Sequence, residues 1–230
     1  MGKEDMQLFW GSGSGPCWRA MIALEEKGFG DIEKTHINFS EKGHKGPDVM
    51  ALNPRGQIPT FKDGDIVVNE SMAICLYLEQ AYPNNGNKLL PTETKDYAKV
   101  LQMAIEAEMN LHMKIIVNCV NYHRITPVDR RDEKTVKSNI KAAKEELAIW
   151  EQRVSKSNSD YVCGISFTLV DVVLFTYMAG LVRMGSTLSD FPALKAYYEK
   201  LCKRNSIAKS WPPHWKDGEM ELDKKCLTDI

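Results

Sequence analysis

Apolar positions come in short runs along the first eighty residues and in long stripes of helical spacing beyond residue 92. Met6–Trp10 is an apolar run closed by Gly11-Ser12-Gly13-Ser14-Gly15, the pattern of a strand running into a turn. Pro16 then stands at a first helical position. Trp18, Met21, Ile22 and Leu24 carry an apolar helical face to about Lys27, with Gly28 as the stop. Alternation predicts a second strand over residues 32–38. Residues 58–61 and 66–68 flank Asp63-Gly64 and predict a hairpin with a tight turn, after which Asn69-Glu70-Ser71 opens a helix to about Tyr82.

Pro83-Asn84-Asn85-Gly86-Asn87 and Pro91 break this mixed pattern. From Glu93 to Arg124 one stripe runs through Ile105, Met109, Met113, Ile116 and Val120, and another through Leu101, Ala104, Ala107, Leu111 and Ile115. Residues 129–155 repeat the spacing with Val136, Ile140, Ala143, Leu147, Trp150 and Val154. Residues 168–184 and 190–204 complete a set of amphipathic or buried helices, with no internal repeat. The chain therefore divides into an α/β domain over residues 1–83, a linker over 84–92 and an all-α helical bundle over 93–230. The order strand, helix, strand, hairpin, helix makes the first domain thioredoxin-like.

Composition narrows the function classes. The 230 residues hold 30 Lys+Arg against 31 Asp+Glu, a formal net charge of -1, which gives no field to hold a nucleic-acid backbone or an anionic membrane surface. No apolar stretch approaches the ~18 to 20 residues of a membrane span. Met1-Gly2-Lys3-Glu4-Asp5 is charged where a secretory signal needs an apolar run, and Met6 stands where an N-myristoylation signal needs Ser or Thr. Cysteines 17, 75, 119, 163, 202 and 226 form no Cys-x-x-Cys or zinc spacing and read as reduced thiols of a cytoplasmic protein. The histidines show no metal-ligand spacing, so neither a metal nor another resident cofactor is expected.

Three short runs carry chemistry. Ser14-Gly15-Pro16-Cys17 lies where partial positive charge gathers at a helix start and would stabilise a bound thiolate. Because Ser replaces the first cysteine of a Cys-x-x-Cys pair, the protein lacks its own attacking thiol and an external one comes into consideration. In Asn53-Pro54-Arg55-Gly56-Gln57-Ile58-Pro59-Thr60, a cis Ile58–Pro59 bond would expose the Ile58 backbone to a peptide-like ligand. Glu70-Ser71 at a helix start offers a carboxylate for an ammonium beside a hydroxyl and backbone N–H groups for a carboxylate, a pairing that suits an α-amino acid terminus. Each run alone also has a plain structural reading, as a turn or a cap.

Together and in this order, with His44-Lys45 between the first two and a helical half behind, these runs resemble the cytosolic glutathione transferases over nearly the whole chain. Ser166-Phe167-Thr168-Leu169-Val170-Asp171 is similar to that family's buried capping box. Trp10-Gly-Ser-Gly-Ser, Asn53-Pro-Arg-Gly and Ser210-Trp-Pro-Pro-His-Trp215 look closest to its rho class, a theta-like, serine-type group. The resemblance implies an enzyme that conjugates glutathione, a co-substrate rather than a cofactor, to hydrophobic electrophiles in detoxification. It implies a homodimer in which the first domain of one subunit packs on the long helices of the other; the charge balance above gives no reason to expect a nucleic-acid or membrane partner.

The resemblance also assigns roles. Ser14, two residues before Pro16, would activate the glutathione sulfur, with Ser12 of the same loop as its competitor and Cys17 packed rather than reactive. Ile58, ahead of Pro59, would pair with the cysteinyl backbone. Glu70 and Ser71 would hold the γ-glutamyl end, and His44, Lys45 and Gln57 the glycine carboxylate. Met109, Met113 and Ile116 would face the electrophile, and Trp211 and Trp215 would either wall its site or pin the tail to the bundle. Two other readings stand beside this one: a maleylacetoacetate-type isomerase, from which the chain departs at Pro16, and a non-catalytic binding or structural protein on the same fold.

Overall fold

A computed structural model describes residues 3–216 and 226–230; the lipidation reading at Gly2 lies outside them. The chain forms two compact units, Met1–Leu89 with Arg204–Gly218, and Leu90–Lys203 with Glu219–Ile230. Sequence pattern alone assigns residues 204–218 to the helical half. In the structure they belong with the first unit, and three contacts explain why. Trp18 Nε1 donates to Ser210 Oγ at 3.0 Å, Arg204 forks onto the buried Glu26 carboxylate at 2.6 and 2.7 Å, and Ser206 Oγ donates to the same carboxylate.

In the first unit, β1 (Met6–Trp10), α1 (Gly15–Glu26) and β2 (Glu33–His36) form a crossover, followed by α2 (Pro47–Leu52), the hairpin β3 (Thr60–Asp63) and β4 (Ile66–Asn69), and α3 (Ser71–Ala81). The sheet order is β2-β1-β3-β4, with β2 parallel to β1, and β3 antiparallel to both β1 and β4. Strand β2 is shorter than the run 32–38, and β3 starts only at Thr60 because Pro59 has no N–H for a ladder. The helix α2 has no counterpart in the sequence reading. Its six residues are too few to show a period, although Pro47 and Asp48 in its first turn are helix-start residues. Helix α3 is tied to the hairpin through the buried Asp63 carboxylate, which accepts from Tyr77 at 2.7 Å and from Tyr82.

The second unit opens with α4 (Thr94–Glu106), which continues without a break through a wider, π-type stretch (Ala107–Asn121) into α5 (Tyr122–Ile125). Side chains compete for carbonyls in and just before this stretch: Asn110 takes Glu106 O, Cys119 takes Lys114 O and Asn139 takes Asn118 O. Such competition accompanies a shift out of the α-helical ladder. The stripe Ala104, Ala107, Leu111, Ile115 is buried, whereas Met109 and Met113 are 67% and 51% exposed. Helix α6 (Glu133–Lys156) starts later than the pattern predicts because Asp132 caps it, accepting from Thr135 N at 2.8 Å. Helices α7 (Leu169–Arg183) and α8 (Pro192–Cys202) follow, and every residue of α7 from Leu169 to Ala179 is buried.

Burying α7 on all sides removes water from its N-terminus, so its end groups need protein partners. The capping box expected at Thr168 and Asp171 fills that need. Asp171 Oδ2 accepts from Thr168 N at 2.6 Å and from Thr168 Oγ1 at 3.0 Å, while Oδ1 accepts from Tyr197 and, at 3.4 Å, from Val162 N. Substituting Asp171 by Ala leaves several buried donors without acceptors, whereas Thr168→Ala removes one cap hydroxyl. We expect Asp171→Ala to cost about 3 to 5 kcal/mol and Thr168→Ala about 1. Denaturant unfolding measures both, and equal losses would mean that Asp171 acts only as a local cap.

Candidate active site

Strand register brings the candidate residues together. Phe9 pairs with Thr60 and Thr60 with Asn69, so one row of cross-strand partners holds the exit of β1, the entry of β3 and the exit of β4. Beyond that row lie the Ser12–Ser14 loop, Ile58–Pro59 and Glu70–Ser71. On the other side of β1, Trp10 pairs with His36 at the exit of β2, which leads into the segment bearing His44 and Lys45. Phe9, Cys17, Val49 and Ile58 form an apolar cluster behind these loops, with Trp10, Ile37 and Leu52 packed against it.

Ser14 N donates to Gly11 O at 3.2 Å, which makes Gly11–Ser14 a tight turn with Gly13 at a φ of 78°, a value that favours glycine. Ser14 is the N-cap of α1, its hydroxyl oxygen accepting from Cys17 N at 3.4 Å and its carbonyl from Trp18 N at 2.9 Å. A serine hydroxyl has one donor and two acceptor sites. Accepting from the helix leaves the Ser14 hydrogen to point elsewhere. Ser12 is engaged differently, with its Oγ 2.6 Å from His214 Nδ1. Cys17 is fully buried, and burial pushes its thiol up to about 11 against the opposing pull of hydrogen bonds from Ser14 and Gly11.

The Ile58–Pro59 bond is cis. Around it runs a network to which the sequence reading gave no role: Asn53 Nδ2 donates to Gln57 O at 2.9 Å, and Thr60 Oγ1 lies 3.1 Å from Gln57 O and 2.9 Å from Asn69 Oδ1. Asn69 Nδ2 reaches Leu52 O at 3.2 Å. These amides and the hydroxyl lock the entry of β3 to the exit of β4. Polar residues in a motif otherwise read for its prolines were the available signal. Gly56, at a φ of 54°, lets the Gly43–Lys45 turn approach, since a Cβ there would lie 2.6 Å from Met50 Sδ and 3.0 Å from His44 O.

The candidate ligand residues differ in how they are held. Lys45 Nζ donates to Arg55 O at 2.7 Å, and His44 packs its ring on Phe39, its buried Nδ1 lacking a partner among the described residues. The Gln57 side chain is exposed and Ser71 is buried. Glu70 is exposed with φ 69° and ψ 120°, a strained backbone that costs about 1 to 3 kcal/mol and persists where surrounding structure imposes it. Met109, Met113 and Ile116 lie on the second unit, the first two exposed and Ile116 half-buried. Trp211 and Trp215 stand edge-on to Trp18 at 5.1 and 5.4 Å, so they pack the tail against α1. Among the described residues, no helix is long and apolar enough to cross a membrane, and no three His, Cys, Asp or Glu side chains could hold a metal ion.

Residues 14–81 match the family model "Glutathione S-transferase, N-terminal domain", and residues 109–210 match "Glutathione S-transferase, C-terminal domain". The chain belongs to the glutathione S-transferase family. Glutathione S-transferase A of Pleuronectes platessa is 41% identical over 227 residues, covering 99% of each chain. Glutathione S-transferase 1 of Zea mays is 32% identical over 208 residues, covering 89% of this chain and 94% of the relative. Among solved structures, a glutathione S-transferase of the Antarctic clam Laternula elliptica superposes with a TM-score of 0.85 at 37% identity, over 94% of this chain and 96% of that one. The protein is accordingly a transferase that conjugates glutathione.

Within this glutathione S-transferase, Cys17 is a packing residue. Its thiolate is scarce at neutral pH and becomes appreciable only as pH rises toward about 11. Iodoacetamide at neutral pH should leave Cys17 unmodified in the native protein while labelling it after unfolding. Peptide mapping that finds a native Cys17 adduct would show that the loop opens and that burial does not protect the thiol.

Proposed function

We propose that Ser14 activates glutathione in this transferase and that the sheet end described above is the glutathione site. The observation that carries the reading is the placement of Ser14: its oxygen caps α1 on the loop at the sheet end, so its hydroxyl hydrogen can turn from Cys17 to the sulfur of a ligand lying along that loop. Lowering a thiol pKa from ~8.5 to roughly 6 or 7 takes about 2 to 3.5 kcal/mol. One charge-assisted hydrogen bond of about 1.5 to 3 kcal/mol and a helix-start contribution of ~0.3 to 1 suffice. The thiolate then attacks an electrophilic carbon, forming the carbon–sulfur bond as the leaving group departs or as an activated double bond takes up a proton.

The rest of the tripeptide suits the neighbouring groups. Glu70 pairs with the γ-glutamyl ammonium, and Ser71 with its α-carboxylate at the start of α3. The backbone of Ile58 pairs with the cysteinyl unit, while His44, Lys45 and Gln57 take the glycine carboxylate. The imposed backbone at Glu70 and the buried His44 Nδ1, without a partner among the described residues, support these assignments. On the second unit, exposed Met109 and Met113, with half-buried Ile116, offer apolar surface for a hydrophobic electrophile, and on the first Trp211 keeps a half-buried ring beside Trp18. The Trp10-Gly-Ser-Gly-Ser, Asn53-Pro-Arg-Gly and Ser210-Trp-Pro-Pro-His-Trp215 runs support a place in the rho class. We take the working form to be a cytoplasmic homodimer, and sedimentation at micromolar concentration giving the mass of one chain would refute it.

Two substitutions separate binding from chemistry. Ser14→Ala should raise the pKa of bound glutathione and lower kcat by about tenfold to a hundredfold with an aryl halide. Glu70→Gln should raise KM for glutathione with kcat nearly unchanged, because its carboxylate contacts a part of the tripeptide remote from sulfur. A Ser14→Ala enzyme with wild-type kcat and thiolate absorbance would refute the role of Ser14. A fall in kcat at constant KM would displace Glu70 from the γ-glutamyl end.

A further inference from the structure

Residues 204–216, which join the first unit, reach back to the Gly11–Ser14 loop. Helices α9 (Asn205–Lys209) and α10 (Pro213–Lys216) carry Trp211, His214 and Trp215 back over α1. Trp211 and Trp215 lie 6.4 Å apart by ring centroids and both meet Trp18, so the tail is held by an aromatic cluster as well as by Ser210 and the Glu26 carboxylate. From that seat His214 Nδ1 sits 2.6 Å from Ser12 Oγ, a contact spanning 202 residues. A Cβ on Gly13 would lie 2.7 Å from His214 Cε1 and 3.1 Å from Trp215 Nε1, so the ring and the turn are in direct contact.

We propose that His214 is a positioning residue of the thiol site, which fixes the Gly11–Ser14 turn through Ser12 and thereby orients the Ser14 hydroxyl toward the glutathione sulfur. Ser12 and Gly13 are the two corners of a turn that ends at Ser14, and neither carries an apolar side chain to hold it. The Ser14 end is fixed by the cap of α1, and the Gly11 amide donates to Cys17 Sγ at 3.4 Å. Between these anchors the only side chain that can be gripped is that of Ser12, and His214 grips it. In the tautomer whose Nδ1 accepts, the bond also takes the Ser12 hydrogen out of competition for the sulfur. Chain ends separated by nearly the whole sequence thus share one catalytic element.

The inference rests on Ser14 as the activating residue, and its test separates the two. The variants are Ser12→Ala, His214→Leu and His214→Asn, with Ser14→Ala as reference. Asn keeps a hydrogen-bonding atom at the δ position, and Leu does not. Measured quantities are the pH titration of bound-glutathione thiolate absorbance, kcat and KM with an aryl halide, and tryptophan emission as a monitor of the tail. We expect Ser12→Ala and His214→Leu each to raise the bound-thiol pKa and lower kcat about three- to tenfold, with KM for glutathione within about twofold. The double variant should be no worse than the worse single one, His214→Asn should restore most of kcat, and emission should stay that of the seated cluster.

If both single variants match wild type while Ser14→Ala loses the thiolate, the positioning role is refuted and the role of Ser14 stands. Equal losses in His214→Leu and His214→Asn would also refute it, by showing that the effect does not pass through the hydrogen bond. Should His214→Leu unseat the tail, Ser12→Ala removes the same bond from the loop side and decides alone. A wild-type thiolate in Ser14→Ala would instead overturn the reading on which the inference rests.

Discussion

The row Phe9–Thr60–Asn69 is the constraint on which the site depends. Side chains alternate along a strand, so a slip of one residue would exchange every inward and outward position and move the loops that follow. In this sheet β1 and β4 leave where β3 enters, and any slip of the hairpin would carry Glu70 and Ser71 away from Ser14. Two buried polar anchors oppose it. At one end of the hairpin Asp63 is held by Tyr77 of α3 and by Tyr82 just after it, and at the other Thr60 and Asn69 bind each other and the Gln57 and Leu52 carbonyls. An unsatisfied buried polar group costs about 1 to 3 kcal/mol, so these anchors penalise misregister more than apolar packing alone would.

In the role proposed for it, Ser14 sits where structural and chemical demands coincide. A helix start needs an acceptor for its amides, and a thiolate needs a donor; one hydroxyl oxygen with one hydrogen meets both. An alanine would meet neither demand, and a cysteine would bring its own titratable thiol to the position. Three residues on, Cys17 shows how much environment decides reactivity. It lies in the same helix start, yet full burial in the Phe9, Val49 and Ile58 cluster outweighs the helix field and holds it as a thiol.

Much of this was legible in the sequence because it is local. The run Met6–Trp10, the Gly/Ser turn, the hairpin about Asp63-Gly64 and the box Thr168-Asp171 depend on residues a few positions apart, and their patterns survive into the structure. What escaped was set by distant partners. Helix α2 is too short for a period, and the π-type stretch arises where side chains from within that stretch and from α6 take its carbonyls. The placement of residues 204–216 turns on Glu26 and Trp18, 192 positions from Ser210 in the latter case, and no periodicity encodes such a pairing. For the same reason the pattern left Trp211 and Trp215 between two readings, of a wall and of an anchor.

That distant pairing answers a difficulty created by the loop itself. A turn built of glycine and serine admits a ligand close to its backbone because it lacks bulk, but the same lack deprives it of apolar side chains that could hold it still. Glycine also loses more backbone freedom on ordering than any other residue. Neighbours must therefore impose the order, and those within reach in the sequence are already engaged in the strand and the helix. The tail answers with rings rather than flexible chains: Trp211 and Trp215 lose few rotamers on docking against Trp18, and His214 carries a polar atom on an equally rigid frame. Rigidity is thus delivered to a small, open loop from outside it, which suits the role proposed for Ser14: a hydroxyl on a fixed turn keeps one direction.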